Sequence, residues 1–298
     1  MNPLDDDVAT FEPHRPELVS LAYRMLGDVG RAEDMVQEAW LRWQRREGVI
    51  ERPKAFLVTV VTRLCLNELE SARARREESR GDRLPEPVDL DEGGMARLEE
   101  LEQVSMAFLV VLQRLSPAER AVLLLHDVFD FPHDEIAALV GRTAAACRKL
   151  LERSRHQLST GRKLGTASPE EHQRLLHAFV LAAGQGDVAA LVDLLAADAV
   201  MITDGGVAGR TVGRTRNLRE PLEGAARVAA FVAAVSGTAG LELHQRRLNG
   251  QPAMVFHRDG QPFAALLLAV ADGLVQQVFF HADASRLRYL GHDGDDRL

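Results

Sequence analysis

The sequence predicts a multidomain chain in which two all-α blocks precede a C-terminal α+β cone. Apolar residues recur at helical spacing up to about residue 80, and again from residue 105 to residue 163. Between the blocks, residues 81–104 are rich in acidic residues, Gly and Pro, which is the composition of a linker. After residue 240, strand-like runs alternate with Asn-Gly and Asp-Gly dipeptides, which favour tight hairpin turns.

The composition limits the classes to which the protein can belong. The chain has 298 residues, of which 46% are hydrophobic, and its net charge is −8. Two or three folded domains are therefore expected, and a disordered protein is excluded. An acidic chain does not coat nucleic acid over its whole surface, so local clusters of charge matter more than the total. Cys65 and Cys147 each lie in a helical pattern, which predicts two reduced thiols rather than a disulfide.

The hydropathy pattern indicates a cytoplasmic protein. The acidic N-terminus lacks the apolar segment of a signal peptide. The sequence contains no apolar run of about 18 residues, so we expect no membrane-spanning helix and no membrane partner. The 10 histidines show no zinc-like spacing with cysteine. The sequence therefore predicts neither a metal site nor a cofactor.

Three apolar stripes predict three helices in the first block, residues 1–80. The stripes cover residues 18–26, 35–43 and 56–69, and the third opens just after Pro53. The third helix continues into the basic run Arg73-Ala-Arg-Arg76. Trp40 continues the second stripe and is expected in the core, whereas Trp43 could either fill the core or anchor an interface.

The second block, residues 105–163, has the pattern of a helix-turn-helix. Ser116-Pro-Ala-Glu119 is a capping box with proline at the first helical position. Further along, Gly141 can adopt the left-handed conformation that ends a helix, and Thr143 can cap the next one. Cys147 and Leu151 lie one turn apart and are expected to face the core. The basic residues of the second helix would then face outward, as in a helix that enters a DNA major groove.

The third domain, residues 169–298, opens at a second capping box, Ser168-Pro-Glu-Glu171. We predict helices over residues 169–183, 187–196 and 223–235, and strands over residues 200–203, 241–248, 253–257, 263–270 and 274–281. The dipeptides Asn249-Gly250, Asp259-Gly260 and Asp272-Gly273 separate the last four strands, and both residues of each tolerate positive φ. Helices followed by an antiparallel meander predict an open cone.

Two runs in the first block add a family resemblance. Arg31-Ala-Glu-Asp-Met-Val-Gln-Glu-Ala-Trp-Leu-Arg-Trp43 is similar to the sigma region 2 helix that binds the clamp of RNA polymerase. Pro53-Lys-Ala-Phe-Leu-Val-Thr-Val-Val-Thr-Arg-Leu-Cys-Leu-Asn-Glu-Leu69 resembles the segment that opens and reads the −10 promoter element. The helix-turn-helix resembles sigma region 4, which reads the −35 element. The chain therefore resembles an extracytoplasmic-function (ECF) sigma factor, which implies core RNA polymerase and promoter DNA as partners.

The resemblance and the residue types together give three sets of contact residues. Polymerase contacts are expected from Asp34, Gln37, Glu38, Arg42 and Trp43. Contacts to the −10 element are expected from Arg63, Asn67, Glu68, Arg73, Arg75 and Arg76, by base-edge hydrogen bonds and phosphate contacts. Contacts to the −35 element are expected from Arg142, Thr143, Ala144, Ala145, Arg148, Lys149 and Arg153. Arg148 is the best candidate for a base contact, since Arg to guanine is the commonest specific pairing.

The linker and the cone resemble the sigma-J type of sigma factor, which carries a SnoaL-like domain. Leu84, Pro85, Glu86 and Pro87 match that group's linker motif, and Asp204, Gly205 and Gly206 match the start of its glycine loop. Its closing motif aligns with residues 283–287, where Arg286 replaces a lysine. The resemblance implies an intramolecular contact through which the cone modulates the sigma domains. By composition, the acidic linker could be a solvated tether or could mimic nucleic acid in the polymerase.

Two other functions remain open at this point. A ligand-sensing helix-turn-helix regulator that does not act through polymerase would explain the second block and the cone, but not the helix at residues 33–43. An enzyme with a DNA-binding appendage would draw on His257, His281, Asp204 or Asp283. The sequence fixes no acid–base pair among these, so no enzymatic activity is predicted. Whether a separate anti-sigma protein binds the chain is left open.

Overall fold

The computed structural model describes residues 3–75, 84–89, 104–160, 167–206, 211–212, 215–216, 218, 220–236, 240–288 and 290. The chain divides into two compact units. The helical unit comprises Met1–Arg80 and Leu109–Gly161, and the C-terminal unit comprises Gly81–Phe108 and Arg162–Leu298. The acidic linker therefore belongs to the C-terminal unit, although it lies between the two helical blocks in sequence.

Four α-helices form the first block of the helical unit. They are α1 (Pro3–Phe11), α2 (Arg15–Leu26), α3 (Val29–Gln44) and α4 (Pro53–Arg75), with a 3-10 turn at Glu12–His14. Gly27 ends α2 in the left-handed conformation with φ 68°, and the Asp28 side chain caps α3 by accepting a hydrogen bond from Arg31 N. The three predicted helices of this block are confirmed, and α1 is an addition.

The second block consists of α5 (Met106–Arg114), α6 (Pro117–Asp127), α7 (His133–Val140) and α8 (Ala144–Thr160). The predicted capping box is present, with Ser116 N donating to the Glu119 carboxylate at 3.0 Å and Glu119 N donating to Ser116 Oγ at 3.3 Å. Gly141 ends α7 at φ 65°. Thr143 Oγ1 accepts a hydrogen bond from Ala146 N at 3.1 Å, which caps α8. These bonds confirm the predicted helix-turn-helix.

The C-terminal unit is an α+β fold built on one curved sheet. Its helices are α9 (Pro169–Gln185), α10 (Val188–Leu194) and α11 (Ala225–Val235), and its strands are β1 (Leu195–Asp204), β2 (Thr211–Val212), β3 (Thr215–Arg216), β4 (Leu222–Glu223), β5 (Glu242–Leu248), β6 (Gln251–Arg258), β7 (Gln261–Ala271) and β8 (Leu274–His281). The main sheet has the order β4-β1-β8-β7-β6-β5, and β2 pairs with β3 separately. Buried apolar residues of α9, α10 and α11 pack with those of the sheet in one core.

The turns of the β5–β8 meander confirm the hairpin prediction. Asn249, Asp259 and Asp272 have φ values of 52°, 53° and 54°, and the glycine after each also has positive φ. The three dipeptides therefore fix the register of four consecutive antiparallel strands.

The start of β1 differs from the prediction. Helix α10 ends at Leu194 rather than near residue 196, because Leu195 is already extended with φ −95° and ψ 141°. Strand β1 begins there and pairs in parallel with β8, with Met201 opposite Val278. This pairing joins segments far apart in sequence, so tertiary contacts override the local helical pattern.

Candidate nucleic-acid interface and linker site

Helix α8 presents a basic, solvent-exposed face. Cys147, Leu151 and Ser154 lie on its buried side, and this orientation turns the predicted −35 contacts outward. Exposed on that face are Arg142, Thr143, Ala145, Arg148, Lys149 and Arg153, while Ala144 is half-buried. Small residues at the start of the helix and long cations one turn later suit close approach to a phosphate-lined groove.

A polar cluster in the C-terminal half of α8 was not predicted. Arg155 donates hydrogen bonds of 2.6 and 3.1 Å to the Asp127 carboxylate, and the His126 and His133 rings stack with centroids 4.6 Å apart. Partial burial alone would raise the pKa of Asp127, but hydrogen bonds from Arg155 and His126 outweigh it and lower the pKa. Arg155 is therefore engaged in holding α8 against α6, unlike the cations of the exposed face.

The outer face of α3 carries the predicted polymerase contacts, with one exception. Asp34 and Gln37 are exposed, and Glu38 accepts a hydrogen bond from Arg42 Nε at 3.0 Å. These four side chains form a continuous polar strip along the helix, because residues three and four apart share one face.

Trp43 is the exception, because the structure places it in the core of the helical unit. Its side chain is 2% exposed and lies in line with Val36 and Ala39 on the buried stripe of α3. The Arg46 guanidinium lies 3.7 Å from its ring centroid. Trp43 therefore does not offer the surface anchor that we predicted. Trp40 lies at the edge of the stripe, half-buried against Phe11.

The predicted −10 contacts lie along α4. Arg63 and Asn67 are exposed, one turn apart. Glu68 forms an ion pair with Arg31 Nη2 at 2.9 Å, which ties α4 to α3. Arg73 and Arg75 belong to the last turn of α4, and Arg76 lies outside the described residues. The structure thus groups Arg63 and Asn67 as an exposed polar pair and gives Glu68 a bonded partner within the block.

The linker is anchored to the C-terminal unit at Leu84. Leu84 N donates a hydrogen bond to Asp204 Oδ2 at 3.1 Å, and Arg286 Nη1 donates to Leu84 O at 2.9 Å. Arg286 Nε lies 3.8 Å from Asp204 Oδ2. Both polar groups of the Leu84 backbone are thus satisfied by charged side chains, which gives stronger hydrogen bonds than neutral partners would. Asp204, Arg286 and Leu84 form what we call the linker anchor.

The linker residues after Leu84 are buried as well. Glu86 is 1% exposed, with Oε1 3.5 Å from Arg288 Nε. Val88 N donates to Asn249 Oδ1 at 3.1 Å, and Asn249 N donates to Val88 O at 2.9 Å. Asp89 then forms an antiparallel bridge with Leu248. For residues 84–89, the idea of a solvated tether is therefore wrong: this stretch binds the cone by backbone and ionic contacts.

The glycine loop after β1 supports the anchor. Gly206 N donates to Asp204 Oδ1 at 3.0 Å, which leaves the other carboxylate oxygen for Leu84. Gly206 has φ 72°, and a Cβ atom there would lie 2.7 Å from Asp283 Cγ. Only glycine fits this position without displacing Asp283. The half-buried Gly205 lies between Asp204 and Gly206 in the chain. The three predicted residues therefore form one turn beside the linker.

The four residues weighed as catalytic candidates do not form an acid–base pair in the cone. His257 is buried with its ring centroid 4.7 Å from that of His244. His281 is fully buried, and burial together with the positive charge of Arg286 lowers its pKa to about 3. Asp204 belongs to the linker anchor, and Asp283 caps the 3-10 turn Ala284–Arg286.

Two features of the described part of the chain concern metal binding and membranes. Its His, Cys, Asp and Glu side chains form no group of three or more that could hold a metal ion. Its helices include none that combines the length and the apolar content needed to cross a bilayer. Cys65 and Cys147 are both free and buried.

Comparison with known proteins gives two family matches and relatives that include one matched over nearly its whole length. Residues 10–75 match the model of Sigma-70 region 2, and residues 105–158 match that of Sigma-70, region 4. The Mycobacterium tuberculosis protein named "Probable ECF RNA polymerase sigma factor SigI" is 32% identical over 295 residues, which cover 96% of this chain and 97% of that protein. "ECF RNA polymerase sigma factor SigJ" of the same species is 41% identical over 202 residues, or 66% of this chain and 65% of SigJ.

Among the solved structures, that of a sigma factor matches nearly the whole chain. The crystal structure of Mycobacterium tuberculosis extracytoplasmic function sigma factor SigJ superimposes with a TM-score of 0.71 at 30% identity, covering 95% of this chain and 98% of that chain. The match extends over both helical blocks and the cone. It confirms the predicted fold class of two all-α blocks followed by an α+β domain.

Proposed function

The chain belongs to the family of extracytoplasmic-function RNA polymerase sigma factors, and from this membership we propose roles for its exposed residues and its C-terminal unit. As a sigma factor, it directs core RNA polymerase to specific promoters for transcription initiation. The comparisons do not support the alternative, a helix-turn-helix regulator that acts without polymerase. Because both partners are found there, we infer that the chain acts in the cytoplasm.

The polar strip of α3 is the proposed polymerase surface. Asp34, Gln37, Glu38 and Arg42 are accessible together, and Trp43 is excluded from the set because it is buried. For the −10 element, Arg63 and Asn67 are proposed to contact phosphate and a base edge, since both are exposed on one side of α4. We also propose that the phosphate backbone of the DNA upstream is contacted by Arg73, Arg75 and Arg76. Glu68 is proposed to lie at the edge of the surface that Arg63 and Asn67 form.

The basic face of α8 is the proposed reader of the −35 element. Thr143 caps the helix, so its first N–H groups can meet a phosphate, as can Arg142, Lys149 and Arg153. Arg148 lies one turn further along, where a side chain reaches base edges in the groove. Ala144 and Ala145 supply a small surface for close approach.

We propose that the C-terminal unit controls the sigma domains by holding the linker. The single observation that supports this most strongly is the linker anchor, in which Asp204 and Arg286 bind both backbone groups of Leu84. The linker connects the proposed −10 and −35 readers in sequence, so holding it limits how the two can be placed on a promoter. We further infer that this unit is not an enzyme, because Asp204 and Asp283 are engaged in structural contacts, and His281 is buried without an acid–base partner among the described residues.

Run-off transcription with core polymerase tests the sigma function and the role of α8. Templates are selected from random DNA by the reconstituted holoenzyme. We expect promoter-specific transcripts from the unmodified chain. Arg148→Ala is expected to relax the base preference at one position of the −35 element by about 10- to 100-fold, the worth of one bidentate Arg–guanine pair.

Lys149→Ala is the matched comparison, since it lies beside Arg148 on the same face. It is expected to weaken all templates alike and to reduce the slope of log affinity against log salt by about one. Equal effects of both variants on every template would refute the assignment of Arg148 to base reading. A complete lack of transcripts, with no stable complex on core polymerase, would contradict the function itself.

A further inference from the structure

The cone of the C-terminal unit encloses an apolar cavity of about 180 Å³. Helices α9 and α11 supply one side of it, and strands of the main sheet supply the other. The rings of Phe179, Phe231, Phe256 and Phe280 contribute to its wall, together with the Met201 side chain. Protein interiors are packed as densely as organic crystals, with few voids larger than a water molecule. A cavity of this size is therefore a feature of the unit that packing alone does not account for.

The wall offers no charge to a ligand. Its described residues include no Asp, Glu, Lys, Arg or His. Two hydroxyl groups belong to it, and both have partners: Thr203 Oγ1 accepts from Leu218 N at 2.9 Å, and Ser236 Oγ donates to Val232 O at 2.7 Å. A charged molecule placed there would lose its hydration without compensation, whereas an uncharged apolar molecule would gain contacts.

One charged side chain close to the cavity wall, that of Arg258, already has a contact partner. The Arg258 guanidinium stacks on the ring of Phe263, a wall residue, 3.9 Å from the ring centroid. This charge is a reason to test an anionic molecule directly against a neutral one of the same size.

We propose that this cavity is a binding site for a small, uncharged, apolar molecule of about the size of one substituted aromatic ring. The size follows from volume, since an apolar cavity of roughly 150 Å³ stays dry and binds benzene. The chemical class follows from the uncharged wall and its satisfied hydroxyls. The inference goes beyond the proposed sigma function, and its test does not involve transcription.

Methyl NMR of the full chain provides the test, with benzene and indole as neutral probes and benzoate as the anionic one. The Met201 methyl group lies on the cavity wall and reports an aromatic ring there through its chemical shift. Met25 is fully buried in the helical unit and serves as the internal reference. We expect a saturable shift of Met201 with benzene or indole, at least fivefold larger than any shift of Met25. Benzoate at the same concentration should produce no such shift.

Two matched substitutions separate cavity filling from a general effect on helices. Ala183 lies on the cavity wall in α9, and Ala230 is an exposed residue of α11 outside the wall. Ala183→Leu should weaken benzene binding at least fivefold because its side chain occupies the cavity. Ala230→Leu should leave the binding unchanged. If Ala183→Leu does not fold, Val235→Phe fills the same cavity from α11 and carries the same expectation.

Four results would overturn the proposal. The first is a lack of any saturable Met201 shift with either neutral probe up to its solubility. The second is an equal shift of Met201 and Met25, which would indicate non-specific partitioning. The third is benzoate binding as tightly as benzene. The fourth is retention of full binding by a folded cavity-filling variant.

Discussion

His281 shows how one buried side chain makes the stability of the C-terminal unit depend on pH. Among the described residues, neither of its ring nitrogens has a hydrogen-bond partner. Burial and the positive charge of Arg286 lower its pKa to about 3 in the folded chain. A histidine in the unfolded chain has a pKa of about 6.5. Between the folded and the unfolded pKa values, only the unfolded state therefore binds the proton. The free energy of unfolding therefore falls as pH decreases from about 6.5 towards 3.

His281→Leu is expected to remove this contribution. For one such group, the free energy of unfolding falls by about 2 kcal/mol between pH 7 and pH 5. In the variant, this fall should be smaller by that amount. Hydrogen exchange of β7 and β8 peptides at the two pH values measures the difference. His172 also has a lowered pKa because of burial, so some pH dependence remains in the variant. His177→Leu, at an exposed site of α9, is the control. An unchanged pH dependence in His281→Leu would contradict the argument.

At the scale of elements, a buried arginine joins three helices of the helical unit. Arg120 of α6 is 5% exposed and donates from Nε to Leu112 O at 2.8 Å and from Nη2 to Leu115 O at 3.5 Å. Its Nη1 donates to the carbonyl of Met25, near the end of α2. These carbonyls come from the end of α2 and from α5 and the turn after it, where backbone oxygens lack intrahelical partners. One guanidinium thus ties the first block to the second.

Arg120→Ala is expected to lower the free energy of unfolding of the helical unit by about 3 kcal/mol, since three buried carbonyls lose a charged donor. Tryptophan fluorescence during denaturation reports this unit, because both tryptophans of the chain, Trp40 and Trp43, lie in α3. Arg114→Ala, on the exposed side of α5, should change stability by less than about 0.5 kcal/mol. If both variants lowered the free energy of unfolding equally, the buried hydrogen bonds of Arg120 would contribute no more stability than the exposed Arg114 side chain does.

The elements that local chemistry determines were the ones predictable from the sequence. Ser116, Gly141 and Thr143 act within one helical turn, and the hairpin dipeptides act within four residues, so each leaves a local signal. The parallel pairing of β1 with β8 and the bridge from Asp89 to Leu248 join distant segments and leave none. Trp43 was ambiguous because two tryptophans three residues apart both fit the stripe, and only packing against Arg46 and Phe56 decides between them.

At the scale of the whole molecule, the linker anchor couples the part of the chain between the two readers to the cone. Residues 84–89 are buried there, and a buried segment is not available to lie along polymerase. If the linker must enter the polymerase during initiation, the cone competes for it. The C-terminal unit is then expected to lower promoter output, and weakening the anchor should raise it.

Arg286→Ala tests this coupling, because it removes the donor to Leu84 O and the ionic contact with Asp204. Loss of one charge-assisted hydrogen bond is worth about 2 kcal/mol. It should shift the equilibrium towards free linker and increase run-off transcription by at least threefold. Faster hydrogen exchange of residues 84–89 should accompany the increase. Arg174→Ala removes an exposed arginine of α9 in the same unit and should change neither quantity. Faster exchange with unchanged output would mean that the anchor is structural only, and lower output would mean that the docked linker assists initiation.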